Sequence, residues 1–124
     1  MRILLADHRS RVRFALRALL EQQPGLNVVG EAVDAGSLLA QAESSCPDLV
    51  LLDWKLRGLA ADSLPALRRG CPDVHVIALS GRPEERRAAL DAGADAFVSK
   101  TDAPERLLAT IHDCRAGSIG GVGG

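Results

Sequence analysis

The sequence has very few aromatic residues and almost no net charge, and both shortages exclude functions. Its aromatic residues are Phe14, Trp54 and Phe97, which are too few to stack a series of nucleic-acid bases or to enclose a flavin ring. Lys and Arg number 15 against 16 Asp and Glu, so the net charge of -1 gives no overall field that would hold nucleic acid or an acidic membrane. We therefore expect no direct nucleic-acid binding by this chain.

Long apolar runs and paired cysteine motifs are missing as well. No stretch approaches the roughly 20 apolar residues of a membrane span, and the N-terminus shows no signal-peptide cleavage pattern, so we expect a cytoplasmic protein without membrane contact. Cys46, Cys71 and Cys114 form no C-x-x-C pair and are odd in number, which disfavours a disulfide framework and a zinc site. We interpret them as small buried or half-buried residues that fill space.

The composition that remains is that of one globular domain. The chain has 124 residues, of which 47% are apolar and 25% charged. A chain of this length buries roughly two thirds of its unfolded surface, so it can fold without disulfides or metals. We predict a domain over residues 1–116, followed at 117–124 by a glycine-rich segment that is a flexible tail or the stub of a linker.

Short apolar runs alternate with segments of helical period along the domain. Residues 3–6 and 49–52 are almost continuously apolar, as expected for strands that are covered on both faces. Residues 10–20 place their apolar side chains at spacings of three and four, which predicts a helix with one apolar face. Five such strands and five helices predict an α/β fold in which helices cover both faces of a parallel sheet.

Two short segments of the chain resemble one another. Residues 46–49 read CPDL and residues 71–74 read CPDV, and each lies where a helix ends and a strand begins. Proline stops a helix and favours an extended chain before it. We interpret the two segments as equivalent helix-to-strand joints and not as a ligand motif.

Polar residues follow the predicted strands at the end where parallel sheets bind ligands. Asp7 and His8 follow the first strand, Asp53 the third, Ser80 the fourth and Lys100 the fifth. Asp7 alone could be a helix cap or part of a solvated turn. Asp53 comes directly after four apolar residues, so its charge needs a cation or a functional reason, and Lys100 could satisfy it in a purely structural ion pair.

These strand ends and the segments around them resemble the receiver domain of bacterial two-component response regulators, especially the subfamily joined to helix-turn-helix output domains. The resemblance covers about residues 2 to 115. It implies a flavodoxin-like (βα)5 sandwich with a doubly wound, five-stranded parallel sheet in the order 2-1-3-4-5. The segments that carry it are ILLADH at 3–8, VRFALRALLE at 12–21, PGLNVVGEA at 24–32, PDLVLLDWKLRG at 47–58, VIALSG at 76–81 and ALDAGADAFVSK at 89–100.

The resemblance implies a signalling switch and not an enzyme. Asp53 would be the phosphoacceptor that takes a phosphoryl group from a histidine kinase, Ser80 would hydrogen-bond that group, and Lys100 would pair first with Asp53 and then with the phosphate. Phe97 matches an aromatic switch position, although a plain core aromatic explains it equally well. The switched face would comprise the fourth helix, the fifth strand and the fifth helix. An output domain, a partner protein and a homodimer are left open.

The same resemblance implies a magnesium site with one unusual ligand. Asp7 and Asp53 would hold Mg²⁺ through their carboxylates and Lys55 through its main-chain carbonyl. His8 stands where the family usually has a second acidic residue, and imidazole is a poor ligand for Mg²⁺. We therefore expect magnesium binding to be weakened or absent. The alternative is a degenerate pseudo-receiver, a protein-binding module that works without phosphorylation.

Two other readings of an α/β chain fit less well. Phosphatases with a D-x-D motif need a second aspartate two residues after the nucleophile, where this chain has Lys55, and they carry the motif on the first strand. A flavin-binding flavodoxin-like protein needs a loop rich in Ser, Thr and Gly after the first strand, and residues 8–11 read HRSR.

Overall fold

The computed structural model describes residues 1–117 and is built on a five-stranded parallel sheet. The strands lie in the order β2-β1-β3-β4-β5, with helices on both faces, so the predicted flavodoxin-like fold is confirmed. Except for Gly117, the predicted tail lies outside the described residues. The strands are β1 (Arg2–Ala6), β2 (Asn27–Ala32), β3 (Leu49–Asp53), β4 (His75–Ser80) and β5 (Ala96–Ser99). The helices are α1 (Ser10–Glu21), α2 (Ala35–Ser45), α3 (Ser63–Gly70), α4 (Arg86–Asp91) and α5 (Pro104–Arg115).

The apolar strands contribute side chains to two separate cores, one on each face of the sheet. Successive side chains of a strand point to opposite faces, so Leu51 packs with α1 and α5 while Leu52 packs with α2, α3 and α4. Every residue of β3 is buried, which explains why its sequence is a continuous apolar run that ends at Asp53. The buried strand β3 thus ends with the carboxylate of Asp53 at the boundary between core and solvent.

Local sequence sets the ends of the helices. Asp34 accepts a hydrogen bond from the Ser37 amide, and the Ser37 hydroxyl in turn accepts one from the Asp34 amide, so a capping box begins α2. Pro104 occupies the first turn of α5, where its missing N–H costs nothing. No helix within residues 1–117 combines the length and the apolar character that crossing a membrane requires.

The fourth helix differs from its predicted form. The sequence predicts one helix from Pro83 to Ala92, but the structure has a 3-10 turn at Pro83–Glu85 and only then α4. The amide of Glu85 donates to the carbonyl of Arg82 in this tight turn. In this turn the Glu85 side chain reaches Ser80, the last residue of β4.

The cysteines also differ from their predicted environment. Cys71 and Cys114 are buried, as expected, but Cys46 is exposed, so the interpretation of all three as space-filling residues is wrong for Cys46. The Sγ atoms of Cys46 and Cys71 lie 2.8 Å apart. The reason is topological, since β3 and β4 are adjacent and the joints that precede them lie side by side.

Candidate functional site

Two aspartates lie side by side at the carboxyl ends of the central strands. Ala6 of β1 pairs with Leu52 of β3, so the residues that follow them, Asp7 and Asp53, are neighbours. Each is only 2% exposed. Two buried carboxylates this close together repel each other and need a cation nearby.

Lys100 supplies that cation from the end of β5. Its Nζ lies 2.9 Å from Asp7 Oδ2 and 3.1 Å from Asp53 Oδ1, so it bridges the two carboxylates. Burial by itself would raise the pKa of Asp7, but the hydrogen bond from the Arg9 amide and the contact with Lys100 outweigh it and lower that pKa below its ordinary value. Three turns far apart in sequence thus meet, as the strand-end pattern predicts.

The two oxygens of Asp53 have different surroundings. Oδ1 receives Lys100 and accepts a hydrogen bond of 3.2 Å from the Lys55 amide. Oδ2 is buried and has no hydrogen-bond partner in residues 1–117, the one such side-chain oxygen or nitrogen there. A buried oxygen left without a partner is costly, so an incoming electrophile or cation would gain by binding it.

His8 faces this unpartnered oxygen from the solvent side. Its Nδ1 lies 3.7 Å from Asp53 Oδ2 and 3.9 Å from Asp7 Oδ1, and its side chain is 44% exposed. Ligand atoms of the three residues all lie within 4.8 Å of one another, close enough to surround one ion. The two carboxylates suit Mg²⁺ and the imidazole does not, so the residues fit magnesium as a weak site.

The Ser80 side chain contacts Glu85, a residue that sequence reasoning missed. Its hydroxyl donates a hydrogen bond to Glu85 Oε1, and Glu85 Oε2 lies 3.1 Å from Lys55 Nζ. The Ser80 hydrogen bond and, with it, Lys55 lower the pKa of Glu85 against the smaller opposing effect of burial. The chain Ser80–Glu85–Lys55 therefore ties the loop after β4 to the loop after β3.

The chain matches the family model of the response regulator receiver domain over residues 3–112. This match spans most of the sequence and includes every strand end named above. The chain belongs to the response regulator receiver family.

The receiver is similar in sequence to two response regulators that are longer than this chain. It is 37% identical over 121 residues to the nitrate/nitrite response regulator protein NarP of Escherichia coli K12, covering 95% of this chain and 55% of NarP. It is 34% identical over 120 residues to NarL of the same strain, covering 94% of this chain and 56% of NarL. The chain therefore spans about half the length of the curated relatives it matches.

Solved structures support the same assignment. A two-component response regulator of the LuxR family from Aurantimonas superposes with a TM-score of 0.85 at 30% identity, covering 94% of this chain and 85% of that one. The signal receiver domain of NarL from Mycobacterium tuberculosis superposes with a TM-score of 0.82 at 27% identity, covering 94% and 96% of the two chains. The family resemblance identified from the sequence is thus confirmed.

Phe97 and Glu85 show which features of the receiver the sequence leaves ambiguous. Phe97 is 8% exposed and packs in the core on the α4 side, so its ring already lies inside the protein. Its role as a switch stays a prediction. Glu85 resembles an ordinary charged helix residue, and only its position in the 3-10 turn, five residues after Ser80, could have indicated the contact.

Proposed function

We propose that this receiver accepts a phosphoryl group on Asp53 and thereby switches a protein-interaction face. The observation that supports the proposal best is Asp53 Oδ2, a buried carboxylate oxygen with no hydrogen-bond partner in the described chain. Its sister oxygen Oδ1 is engaged by Lys100 and by the Lys55 amide, which orients the carboxylate. A carboxylate held in this way is a positioned nucleophile.

The chemistry follows from the two oxygens. Asp53 Oδ2 attacks the phosphorus of a kinase phosphohistidine, an O–P bond forms, the P–N bond breaks, and the imidazole leaves with a proton. Lys100 lies near enough to exchange its contact with Asp53 for one with a phosphoryl oxygen. Its ammonium group would offset the charge that develops on the phosphoryl group.

Magnesium would support this transfer weakly. Asp7 and Asp53 would hold the ion together with the main-chain carbonyl of Lys55, and the ion would supply positive charge next to the phosphoryl oxygens. His8 adds no negative charge where the family usually has a carboxylate. We therefore propose that Mg²⁺ binds this receiver less tightly than receivers with a full acidic pair.

The switch itself would begin at Ser80. To reach a phosphoryl oxygen on Asp53, the Ser80 hydroxyl must leave Glu85, which frees both Glu85 and Lys55. The loop between β4 and α4 would then repack against Phe97. The face formed by α4, β5 and α5 would change as a result, since two packings that differ by a few kcal/mol are enough for a switch.

The cellular setting of the receiver is proposed from its relatives. The relatives are response regulators and about twice as long, so we propose that a histidine kinase is the phosphodonor and that a helix-turn-helix output domain or a separate partner reads the switch. We propose a cytoplasmic location. A homodimer of the phosphorylated form is compatible with this scheme.

A second candidate function rests on His8. Its ring stands close to both carboxylates, and a protonated imidazole there would partly neutralise the pocket without any metal. The chain would then be a pseudo-receiver that binds a protein partner without being phosphorylated.

A small phosphodonor separates the two candidates. Acetyl phosphate is added with and without Mg²⁺, and intact-mass spectrometry records whether one phosphoryl group is gained. The proposal expects a hydroxylamine-sensitive adduct in the wild type and none in Asp53→Asn. Absence of the adduct at every magnesium concentration, together with no response to beryllofluoride, would instead support the pseudo-receiver.

A further inference from the structure

Two cysteines meet at the end of the sheet opposite to Asp53. Cys46 ends α2 and Cys71 ends α3, and in both places Pro-Asp leads into the next strand. The two strands are parallel neighbours in which Leu49 pairs with His75. The repeated joints therefore lie side by side, and this adjacency brings the two cysteines together.

The two sulfur atoms lie closer together than atoms in an ordinary nonbonded contact. Their separation is 2.8 Å, whereas nonbonded carbon atoms pack at about 3.5–4.0 Å. A disulfide needs about 2.05 Å between the sulfurs. Only a small movement of the Cys46 side chain, which is exposed, would bring the pair to bonding distance.

The environments of the two thiols are unequal. Cys71 is 4% exposed, and burial, together with the neighbouring Cys46, raises the pKa of its thiol to about 11. Cys46 is exposed and ends α2 in a left-handed conformation with φ of 42°. An oxidant dissolved in water therefore meets Cys46 first, and Cys71 lies behind it as the second thiol.

Neither a metal nor the third cysteine explains the pair. Within residues 1–117, the group of side chains able to surround an ion is the one at Asp7, His8 and Asp53, so the two thiols lack a third ligand. Cys114 packs in the core on the other face of the sheet, away from Cys71. Within the described residues, Cys46 and Cys71 can therefore pair only with each other.

We propose that Cys46 and Cys71 are an oxidation site that forms a reversible intramolecular disulfide with a hydroperoxide. The Cys46 sulfur attacks the hydroperoxide, the O–O bond breaks, and Cys46 becomes a sulfenic acid while the rest of the oxidant leaves as an alcohol or water. The Cys71 sulfur then attacks the Cys46 sulfur, the S–O bond breaks, and water leaves with the Cys71 proton. Two thiols are oxidised and one hydroperoxide is reduced.

The disulfide would join the ends of α2 and α3 and close a loop between residues 25 apart in sequence. Closing a loop of this length with a disulfide should raise the melting temperature of a domain of this size by roughly 10 °C. The length of β3 separates the pair from Asp53 by roughly 15 Å. Disulfide formation therefore leaves the carboxylate pocket in place, and its test is independent of phosphorylation.

The test uses the reduced full chain treated with a small excess of hydrogen peroxide. We expect nonreducing peptide mapping to show a Cys46–Cys71 cross-link within one chain, and the melting temperature to rise by roughly 10 °C and return after a dithiol is added. Cys46→Ser, at an exposed position, should lose both effects, while the matched control Cys114→Ser should keep them. Oxidation of Cys46 to a sulfinic acid with Cys71 still a thiol, or a cross-link between two chains, would overturn the proposal.

Discussion

Replacing His8 by aspartate tests the cause that we assign to weak magnesium binding. A carboxylate at position 8 would lie about 4 Å from a cation held by Asp7 and Asp53, and at an effective dielectric constant near 20 its attraction for a doubly charged ion is about 8 kcal/mol. Desolvation cancels most of this. If about a fifth remains, the affinity for Mg²⁺ rises about tenfold.

The receiver contains its own reporter for this measurement. Trp54 is the single tryptophan, it is half-buried, and it directly follows Asp53. Titration of its fluorescence with Mg²⁺ gives the dissociation constant of wild type, His8→Asp and the matched control His8→Asn, which has nearly the shape of aspartate without its charge. We expect tighter binding only for His8→Asp. Equal constants for the aspartate and asparagine variants would refute the electrostatic argument.

Three further predictions concern the ion pairs. Lys100→Met removes the cation that bridges the two buried carboxylates, while Arg9 Nε stays 3.4 Å from Asp7 Oδ1. The free energy of unfolding should fall by about 3 kcal/mol in urea titrations, and adding Asp53→Asn should restore much of it; no recovery in the double variant would contradict the bridge. Glu85→Gln weakens the hydrogen bond that Ser80 must break before it can reach a phosphoryl oxygen on Asp53. The affinity of the receiver for beryllofluoride should therefore rise about fivefold. An unchanged affinity would show that this contact does not oppose the switch. Burial by itself would raise the pKa of Glu31, but its contacts with Arg17 and Arg13, each at 2.8 Å, together outweigh burial and lower that pKa below its ordinary value. The stabilisation from this carboxylate is therefore present above the ordinary glutamate pKa and is lost as the pH falls through the lowered value, so a Glu31→Gln variant should show a smaller acid-induced drop in melting temperature than wild type.

The carboxylate pocket was the part of the site most readily predicted from sequence. Asp7 and Asp53 each follow a short apolar run, Lys100 comes directly after β5, and the parallel topology alone requires residues at these strand ends to gather at one edge of the sheet. Their pairwise contacts follow from burial, because two carboxylates in that position need a cation. The fold was predictable for the same reason, since continuous apolar strands and amphipathic helices admit few arrangements.

The contacts that were missed depend on geometry beyond the local pattern. Glu85 reaches Ser80 because a 3-10 turn precedes α4, and a sequence that begins with proline fits a helical first turn equally well. Both cysteine joints were recognised individually. Their contact required knowing that β3 and β4 are adjacent, which is a property of the sheet order and not of either segment.

The division of the core by the sheet has a consequence for how substitutions combine. Leu51 and Leu52 are neighbours along the chain, yet the sheet separates the layers into which they pack. We therefore expect substitutions in one layer to affect the other chiefly through the backbone of the strands. Side chains in the layer under α2, α3 and α4 can accordingly change together while the layer under α1 and α5 keeps its packing.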